Sequence, residues 1–239
     1  MSVNFSMHVI RNASLIQNRV RIASAAHLVA LVSFTGGLFL SRDQENLWVV
    51  YSTMVLGLGL YSLGQHFLRR WGPRYRYDGL IVQALKGLDK RYTFGAFIDP
   101  KLPDYIVIGP QGIVPLVARP QGGTIICRSD KWSRERGRWG ILSSIFGPAL
   151  KNPTVDARQA SAQVQAFLTE RLGAEAMEGV PILPTVVFLN SQARLRIDGT
   201  SVPVITAKEL RTHLRKGKPA IATRQSDAIV ALWQSLAKV

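Results

Sequence analysis

The stretch that decides the fold is DYIVIGPQGIVPLVARPQGGTII, residues 104–126. It contains two short hydrophobic runs, residues 106–108 and 113–118, that are rich in β-branched side chains. A Gly-Pro-Gln-Gly sequence at 109–112 separates them and favours a tight turn, so the pattern predicts two antiparallel strands. Residues 124–127 have a similar composition and predict a further strand.

Segments with helical and strand character alternate on both sides of this hairpin. Apolar residues at a helical spacing predict helices over residues 78–88, 154–172, 207–214 and 226–237. Pro153 suits the first turn of the second of these helices. Strands are predicted over residues 92–98, 184–189 and 202–205. This order indicates an α/β domain over residues 78–239.

The composition points to two regions of different character. Hydrophobic residues make up 47% of the chain and the mean hydropathy is +0.10, although there are 30 lysines and arginines. The formal net charge of +15 favours a negatively charged partner such as phospholipid head groups, nucleic acid or an acidic protein. The single cysteine, Cys127, excludes an intrachain disulfide and a thiolate metal cluster.

The excess of apolar residues lies within residues 1–77, in two runs without formal charge. Residues 22–40 would form about 28 Å of helix and residues 47–68 about 33 Å, at roughly 1.5 Å per residue. Either length is sufficient to cross the hydrocarbon core of a bilayer. Trp48 and Tyr51 lie near one end of the second run, as aromatic residues do at membrane interfaces. We therefore predict a transmembrane hairpin.

Two other interpretations of these runs are less favourable. A cleaved signal peptide would account for the basic flank at Arg11, Arg19 and Arg21, but its apolar run is too long for a typical signal and a second run follows at once. A buried hairpin of a soluble protein is the other alternative. Two uncharged runs of this length fit lipid better than a protein core.

The distribution of arginines predicts the orientation of the hairpin. Arginines flank the two runs on their outer sides: Arg11, Arg19, Arg21, Arg69, Arg70, Arg74 and Arg76. The loop between the runs has Arg42 beside Asp43 and Glu45. Because positive charge is retained in the cytoplasm, we expect a two-span protein of the cell (inner) membrane with both termini cytoplasmic.

Several separated motifs between residues 78 and 215 resemble the nuclease-related domain, or NERD, family. They are DYIVIGPQGI at 104–113, Asn152-Pro153 at the start of a helix, ILPTVVFLNSQARLRI at 182–197 and VPVITAKELRTHL at 202–214. The resemblance implies a restriction-endonuclease-like core, in which helices flank a mixed sheet. With the two apolar runs, it implies a membrane-anchored α/β protein.

The resemblance also implies where a catalytic site would lie. Phosphodiester hydrolysis by this fold uses carboxylates that hold Mg²⁺ and a lysine that orients or deprotonates the attacking water. The family pattern places its Asp at Asp104, its Glu at Val117, its Lys at Arg119 and a helix Glu at Gly79, beside Asp78. Valine offers no oxygen to a metal and an arginine stays protonated, so we expect no catalysis, no metal and no cofactor.

The alternative is a migrated carboxylate, that is, an Asp on a neighbouring element that takes the role of the missing ligand and restores a metal site. Asp78, Asp99 and Asp130 are the candidates that could reach the metal from a neighbouring element. Arg119 would still leave the water without its lysine. We therefore expect Asp104 to be a polar residue at the start of a strand, bonded to a loop amide.

Basic and aromatic residues alternate in KWSRERGRWG, residues 131–140, before an apolar face at residues 141–146. The predicted binding residues are Lys131, Trp132, Arg134, Arg136, Arg138 and Trp139. Such a stretch suits anionic head groups or a partner subunit, and its aromatic residues also suit single-stranded nucleic acid. A solvated basic loop that leads into a core helix is the simpler interpretation.

Two classes of function remain open from the sequence. The first is a non-catalytic scaffold or accessory subunit of a larger membrane protein complex, with the lipid bilayer and other membrane-protein subunits as partners. The second is a membrane-tethered protein that binds nucleic acid or cleaves it with a metal. The missing Glu and Lys favour the first class.

Overall fold

The computed structural model describes residues 7–41, 47–73, 76–135 and 150–237. The chain divides into two units: one is Ala13–Arg76, and the other combines Met1–Asn12 with Tyr77–Val239. The sequence-based boundary between residues 77 and 78 lies close to the point where the chain leaves the helical unit. At the other end, the first residues of the chain belong with the α/β unit.

The helical unit consists of α1 (Ala13–Leu40) and α2 (Leu47–Trp71). Both helices are long and apolar enough to cross a membrane, and they contain the two predicted runs. Only 22% of the apolar window of α1 and 17% of that of α2 is buried, and most of the exposed large hydrophobic side chains in the described residues lie on these helices. Most of the apolar surface of these two helices is therefore exposed.

Small residues allow α1 and α2 to approach each other closely. A Cβ atom at Gly57 would lie 3.0 Å from the ring of Phe34, and one at Gly64 would lie 2.6 Å from the ring of His27. The His27 Nδ1 atom is 2.9 Å from the carbonyl oxygen of Ala23, one turn earlier in the same helix. The hairpin is thus held by side chains that fill the space above these two glycines.

The α/β unit contains nine strands and five helices in the described residues. In chain order they are β1 (His8–Arg11), α3 (Asp78–Ala84), β2 (Thr93–Ala96), β3 (Tyr105–Gly109), β4 (Gly112–Arg119), β5 (Gly123–Arg128), β6 (Lys131–Arg134), α4 (Pro153–Leu172), α5 (Ala174–Met177), β7 (Thr185–Phe188), β8 (Ala193–Asp198), β9 (Val204–Thr206), α6 (Ala207–Lys216) and α7 (Thr223–Ala237). The predicted alternation of helices and strands is therefore observed, with boundaries shifted by a few residues.

The larger sheet has six strands in the order β1-β2-β3-β4-β7-β9. The central strands β2, β3 and β4 are antiparallel, and Ile108 pairs with Ile113 across the predicted turn. The pairs β1 with β2, β4 with β7 and β7 with β9 are parallel. This mixed sheet flanked by helices agrees with the expected α/β architecture.

A smaller sheet, with the order β6-β5-β8, was not predicted as a separate sheet. Its central strand β5 pairs in parallel with β8, where Ile125 lies opposite Leu195. Residues 131–134 form β6 and pair with β5, so this part of the basic stretch is a strand rather than a loop.

Two apolar clusters form the core of this unit. One joins the larger sheet to α4 and α7, with Ile108, Phe167 and Trp233 among its buried residues. The other joins α4 to strands of both sheets through Ile125 and Phe188. The helix α4 contributes to both clusters because its apolar positions recur at helical spacing. Asn152 caps this helix, and its side chain accepts hydrogen bonds from the amides of Thr154 and Val155.

The strand β1 was missed by the sequence analysis. It pairs in parallel with β2, so that His8 lies opposite Thr93 and Arg11 opposite Ala96. The side chain of Asn12, immediately before α1, donates hydrogen bonds to the carbonyl oxygens of Ile98 at 3.1 Å and Leu236 at 3.0 Å. These partners lie far along the chain, and a four-residue strand carries too little periodicity to be recognised locally.

We expect Asn12→Ala to lower the free energy of unfolding by about 1–3 kcal/mol, because it removes the donors from two carbonyl groups at a buried position. Thermal unfolding of the detergent-solubilised full chain measures the effect. Asn18→Ala is the matched control, since Asn18 is exposed on α1, and it should change stability by less than about 0.5 kcal/mol. Equal effects of the two substitutions would contradict the role of Asn12.

Candidate functional site

Asp104 lies directly before β3 and is partly buried. Its main-chain carbonyl oxygen accepts a hydrogen bond of 2.8 Å from the amide of Phe97. The pairing of Ile106 with Pro115 in β4, if continued by two residues, would set Asp104 opposite Val117. The observed pairing ends at Ile106 and Pro115, so Asp104 and Val117 themselves lie beyond the paired residues.

Val117 is part of the apolar core rather than of a polar site. It pairs in register with Val186 of β7 and packs against the cluster that contains Ile125, Ala157 and Phe188. Val117 is partly buried, and a carboxylate here would lie against hydrocarbon side chains, which disfavour a charged group. The position that would hold a second metal ligand thus contributes to packing.

Arg119 lies two residues further along the same strand and forms an ion pair with Asp156. Asp156 is in the first turn of α4, and the two side chains are in close hydrogen-bond contact through Nη2 and Oδ2. The Arg119 side chain is only 15% exposed, and its Nε atom makes no hydrogen bond to any described residue. The guanidinium at the position where the resemblance implies a lysine is therefore paired with a helix carboxylate.

The sequence analysis did not identify Asp156. An acidic residue in the first turn of a helix is common because it interacts favourably with the helix dipole, so its presence alone gave no functional signal. Its partner Arg119 is 37 residues away in the chain. Only the packing of α4 against β4 brings the two charges together.

Asp78 and Asp99, two of the candidate migrated carboxylates, have partners of their own. Asp78 starts α3, is 8% exposed and lies 3.0 Å from the Nε atom of Arg11. Asp99 accepts a hydrogen bond of 2.8 Å from the amide of Lys101 in a turn. Among the described residues, no group of three or more His, Cys, Asp or Glu side chains is arranged to hold a metal ion.

Asp130, the third candidate, is the centre of a hydrogen-bonded cluster. It lies in the turn between β5 and β6, where its φ of 60° is in the left-handed region. Its carboxylate accepts hydrogen bonds from the amide and hydroxyl of Ser201, at 3.1 and 2.8 Å, and from the hydroxyl of Thr154 at 3.2 Å. Arg158 lies 2.9 Å from the same carboxylate.

These hydrogen bonds hold the pKa of Asp130 below its usual value, with the two from Ser201 as the main cause. They connect the smaller sheet, the first turns of α4 and the loop before β9. Each oxygen of the carboxylate already accepts from groups of the protein. This arrangement is typical of a structural tie between elements rather than of a metal ligand.

The predicted binding residues fall into two groups. Lys131 and Arg134 are exposed on β6, whereas Trp132 is partly buried. The indole N–H of Trp132 donates to the Thr154 hydroxyl at 2.9 Å, and its ring lies 6.1 Å from that of Phe188. Trp132 is therefore engaged in contacts within the domain. Arg136, Arg138 and Trp139 lie outside the described residues.

Comparison with known proteins found no family model that matches this chain, and no match among the curated proteins or the solved structures.

We expect Asp130→Asn to lower the melting temperature of the full chain at neutral pH. Asparagine tolerates the left-handed backbone, so the substitution tests the carboxylate charge itself. Because the folded-state pKa is depressed, the stabilising contribution is complete above the unfolded pKa of about 3.9 and is lost as the pH falls through the lower folded value.

The difference in melting temperature between this variant and the unaltered chain should accordingly shrink in that acidic window. Asp227→Asn, at an exposed position on α7, serves as the control and should show little difference at either pH. A constant difference across the acidic range would indicate that the charge of Asp130 contributes nothing.

Proposed function

We propose that this chain is a non-catalytic, membrane-anchored scaffold or accessory subunit of a larger membrane protein complex, built on a degenerate domain related to the NERD nucleases. This proposal rests on the side chains at the two positions that would complete a nuclease site. Val117 packs in an apolar cluster, and Arg119 is paired with Asp156.

The electrostatics of this position argue against metal-dependent hydrolysis. A divalent cation near Asp104 would lack a second carboxylate ligand, because Val117 has no side-chain oxygen. The positive guanidinium of Arg119 would also repel the cation. Arg119 is also unable to act as a base, because its guanidinium remains protonated. In this proposal, the mixed sheet with its flanking helices lacks the groups that would perform the chemistry.

The strand β1 supports the proposed topology independently of the arginine distribution. It precedes α1 in the chain, yet it pairs with β2, which follows α2. Two strands that share hydrogen bonds must lie on the same side of a membrane. A hairpin of two spans satisfies this condition, whereas a single span would separate the strands. Together with the arginines that flank the two runs, this supports a cytoplasmic location for both strands.

A nucleic-acid-binding protein is the second candidate. The formal net charge of +15 and the exposed Lys131 and Arg134 favour it, because such charges bind phosphates without sequence preference. The interior contacts of Trp132 count against it, since they leave that ring less able to stack on a base. We therefore rank contact with lipid or protein above nucleic acid.

Partners are best sought with the chain in its native membrane. Gentle solubilisation of membranes, affinity purification of the full chain and identification of co-purifying proteins would test the complex directly. Recovery of the chain without stoichiometric partners, at native expression levels, would contradict a role as subunit or scaffold.

We expect a cysteine probe at Gln44, in the loop between the two runs, to be labelled by an impermeant reagent applied to intact cells. Probes at Val9 on β1 and at Ser191 in the α/β unit should be labelled only after the membrane is opened. The native Cys127 is fully buried and should not interfere. Labelling of Ser191 in intact cells would contradict the orientation, and different accessibility of Val9 and Ser191 would contradict the shared sheet.

We also expect the full chain not to hydrolyse DNA or RNA with Mg²⁺ or Mn²⁺. The full chain is required because a fragment that starts at residue 78 would lack β1. Binding should be assayed separately, since the basic charge favours weak, salt-sensitive binding without cleavage. Metal-dependent cleavage that disappears in Asp104→Ala would overturn the proposal.

The double substitution Val117→Glu with Arg119→Lys is the converse probe of this site. It restores the residue types of the family pattern, and binding of Mn²⁺ can be followed by electron paramagnetic resonance. A gain of metal binding would indicate that the site geometry persists under the altered side chains. Lys131→Glu with Arg134→Lys is a matched control on the exposed strand β6 and should gain none.

A further inference from the structure

Residues 217–222 connect α6 to α7 and lie against the turn that joins β3 to β4. The amides of Ala220 and Ile221 both donate to the carbonyl oxygen of Pro110, at 2.8 and 3.2 Å. Residues 217–220 are exposed, whereas Ile221 is partly buried against the apolar cluster that contains Trp233. We refer to residues 217–222 as the strap, and its two hydrogen bonds to the turn share one acceptor.

The side chain of Gln111 is enclosed where the strap meets this turn, and it is 4% exposed. A Cβ atom at Gly217 would lie 2.6 Å from the Cβ atom of Gln111, and one at Gly109 would lie 2.7 Å from its Oε1 atom. Both Oε1 and Nε2 of Gln111 are buried, and neither forms a hydrogen bond with any described residue. The closed strap therefore keeps an amide donor and acceptor from water without replacing their hydrogen bonds.

Gln225, at the other end of the strap, shows the opposite arrangement. Its Oε1 atom accepts a hydrogen bond of 3.2 Å from the amide of Ala222. Its Nε2 atom donates to the carbonyl oxygens of Ala176 and Glu178, at 3.2 and 3.1 Å. The end of the strap next to α7 is therefore tied to α5 and the residue after it, whereas the end at Gly217 lies against an unpaired amide. We expect the strap to open from the Gly217 end.

Two opposed contributions determine how stable the closed strap is. A hydrogen bond between protein groups adds little net free energy because it replaces bonds to water, whereas a buried polar group without a partner costs its full desolvation. Closing the strap forms the two hydrogen bonds to Pro110 and removes water from both polar atoms of the Gln111 amide. Opening reverses both changes, so the free energies of the closed and open positions are close.

We infer that the strap is a conformational switch, which moves between the closed position and an open position where water reaches the Gln111 amide. The larger sheet stays folded during this movement, and the buried amide sets the balance between the two positions. Segments that open at a lower free energy than the whole domain are those that binding partners can move. The inference depends on neither the proposed membrane anchoring nor the resemblance of the sequence to nucleases.

Residue-resolved hydrogen exchange of the detergent-solubilised full chain measures the opening of the strap. The amides of Ala220 and Ile221 should exchange by local opening, and so faster than the amide of Val186 in β7. Val186 is fully buried, and its amide donates to the carbonyl oxygen of Pro203 at 2.9 Å, so it should exchange only when the sheet opens. Equal protection of the strap and of Val186 would overturn the inference.

The substitution Gln111→Met tests the role of the amide, because methionine has an unbranched side chain of similar length without polar N–H or C=O groups. Removal of the unpaired groups should slow the exchange of Ala220 and Ile221 by about tenfold. Gln225→Met is the matched control, and it should speed the exchange of Ala222 because it removes hydrogen bonds that are formed. Unchanged or faster exchange of Ala220 and Ile221 in Gln111→Met would contradict the proposed balance.

The substitution Gly217→Ala tests the switch in the opposite direction and serves also if Gln111→Met fails to fold. Gly217 has a φ of −63°, which alanine adopts, so the added methyl group acts only by its contact with Gln111. It should speed the exchange of the Ala220 and Ile221 amides and leave that of Val186 unchanged. Gly79→Ala, where an added Cβ atom meets nothing within 4 Å, should change neither. If Gly217→Ala left the strap amides unchanged, the inference would be wrong.

Discussion

The pairing of β1 with β2 is the constraint on which the rest of the structure depends. A strand that precedes the apolar helices and one that follows them belong to the same sheet. The helical unit is therefore an insertion between two strands of the α/β unit rather than a leader attached to its N-terminus. Asn12 and the Arg11–Asp78 ion pair secure this arrangement at the point where the chain leaves the sheet.

Val117 and Arg119 take part in packing and charge pairing at the two positions where the resemblance implies catalytic groups. Val117 extends the apolar cluster under α4, and Arg119 neutralises the carboxylate in the first turn of that helix. Both residues join β4 to α4, at the place where the family pattern would put a metal and a water. A position that packs against an apolar cluster is unfavourable for a metal ligand, because packing and cation binding require opposite polarity.

The same distinction applies to the polar groups of the α/β unit. The Asp130 carboxylate accepts hydrogen bonds from Ser201 and Thr154 and pairs with Arg158, so its charge contributes to the fold. Both oxygens of this carboxylate accept hydrogen bonds from groups of the protein, which connect the smaller sheet to α4 and to the loop before β9.

The sequence by itself determined the elements whose signals are local. The apolar runs, the Gly-Pro-Gln-Gly hairpin and the helix that starts at Pro153 were predicted because length, turn residues and helical spacing are read within a few residues. The sequence also showed that Val117 and Arg119 stand where the resemblance implies a carboxylate and a lysine. Only the tertiary structure decided the pairing of β1, the smaller sheet and the Asp156 partner of Arg119. These depend on contacts between residues that are distant in the chain, such as Asn12 and Ile98 at a separation of 86 residues, and a four-residue strand or a single charge carries no local sign of such a partner.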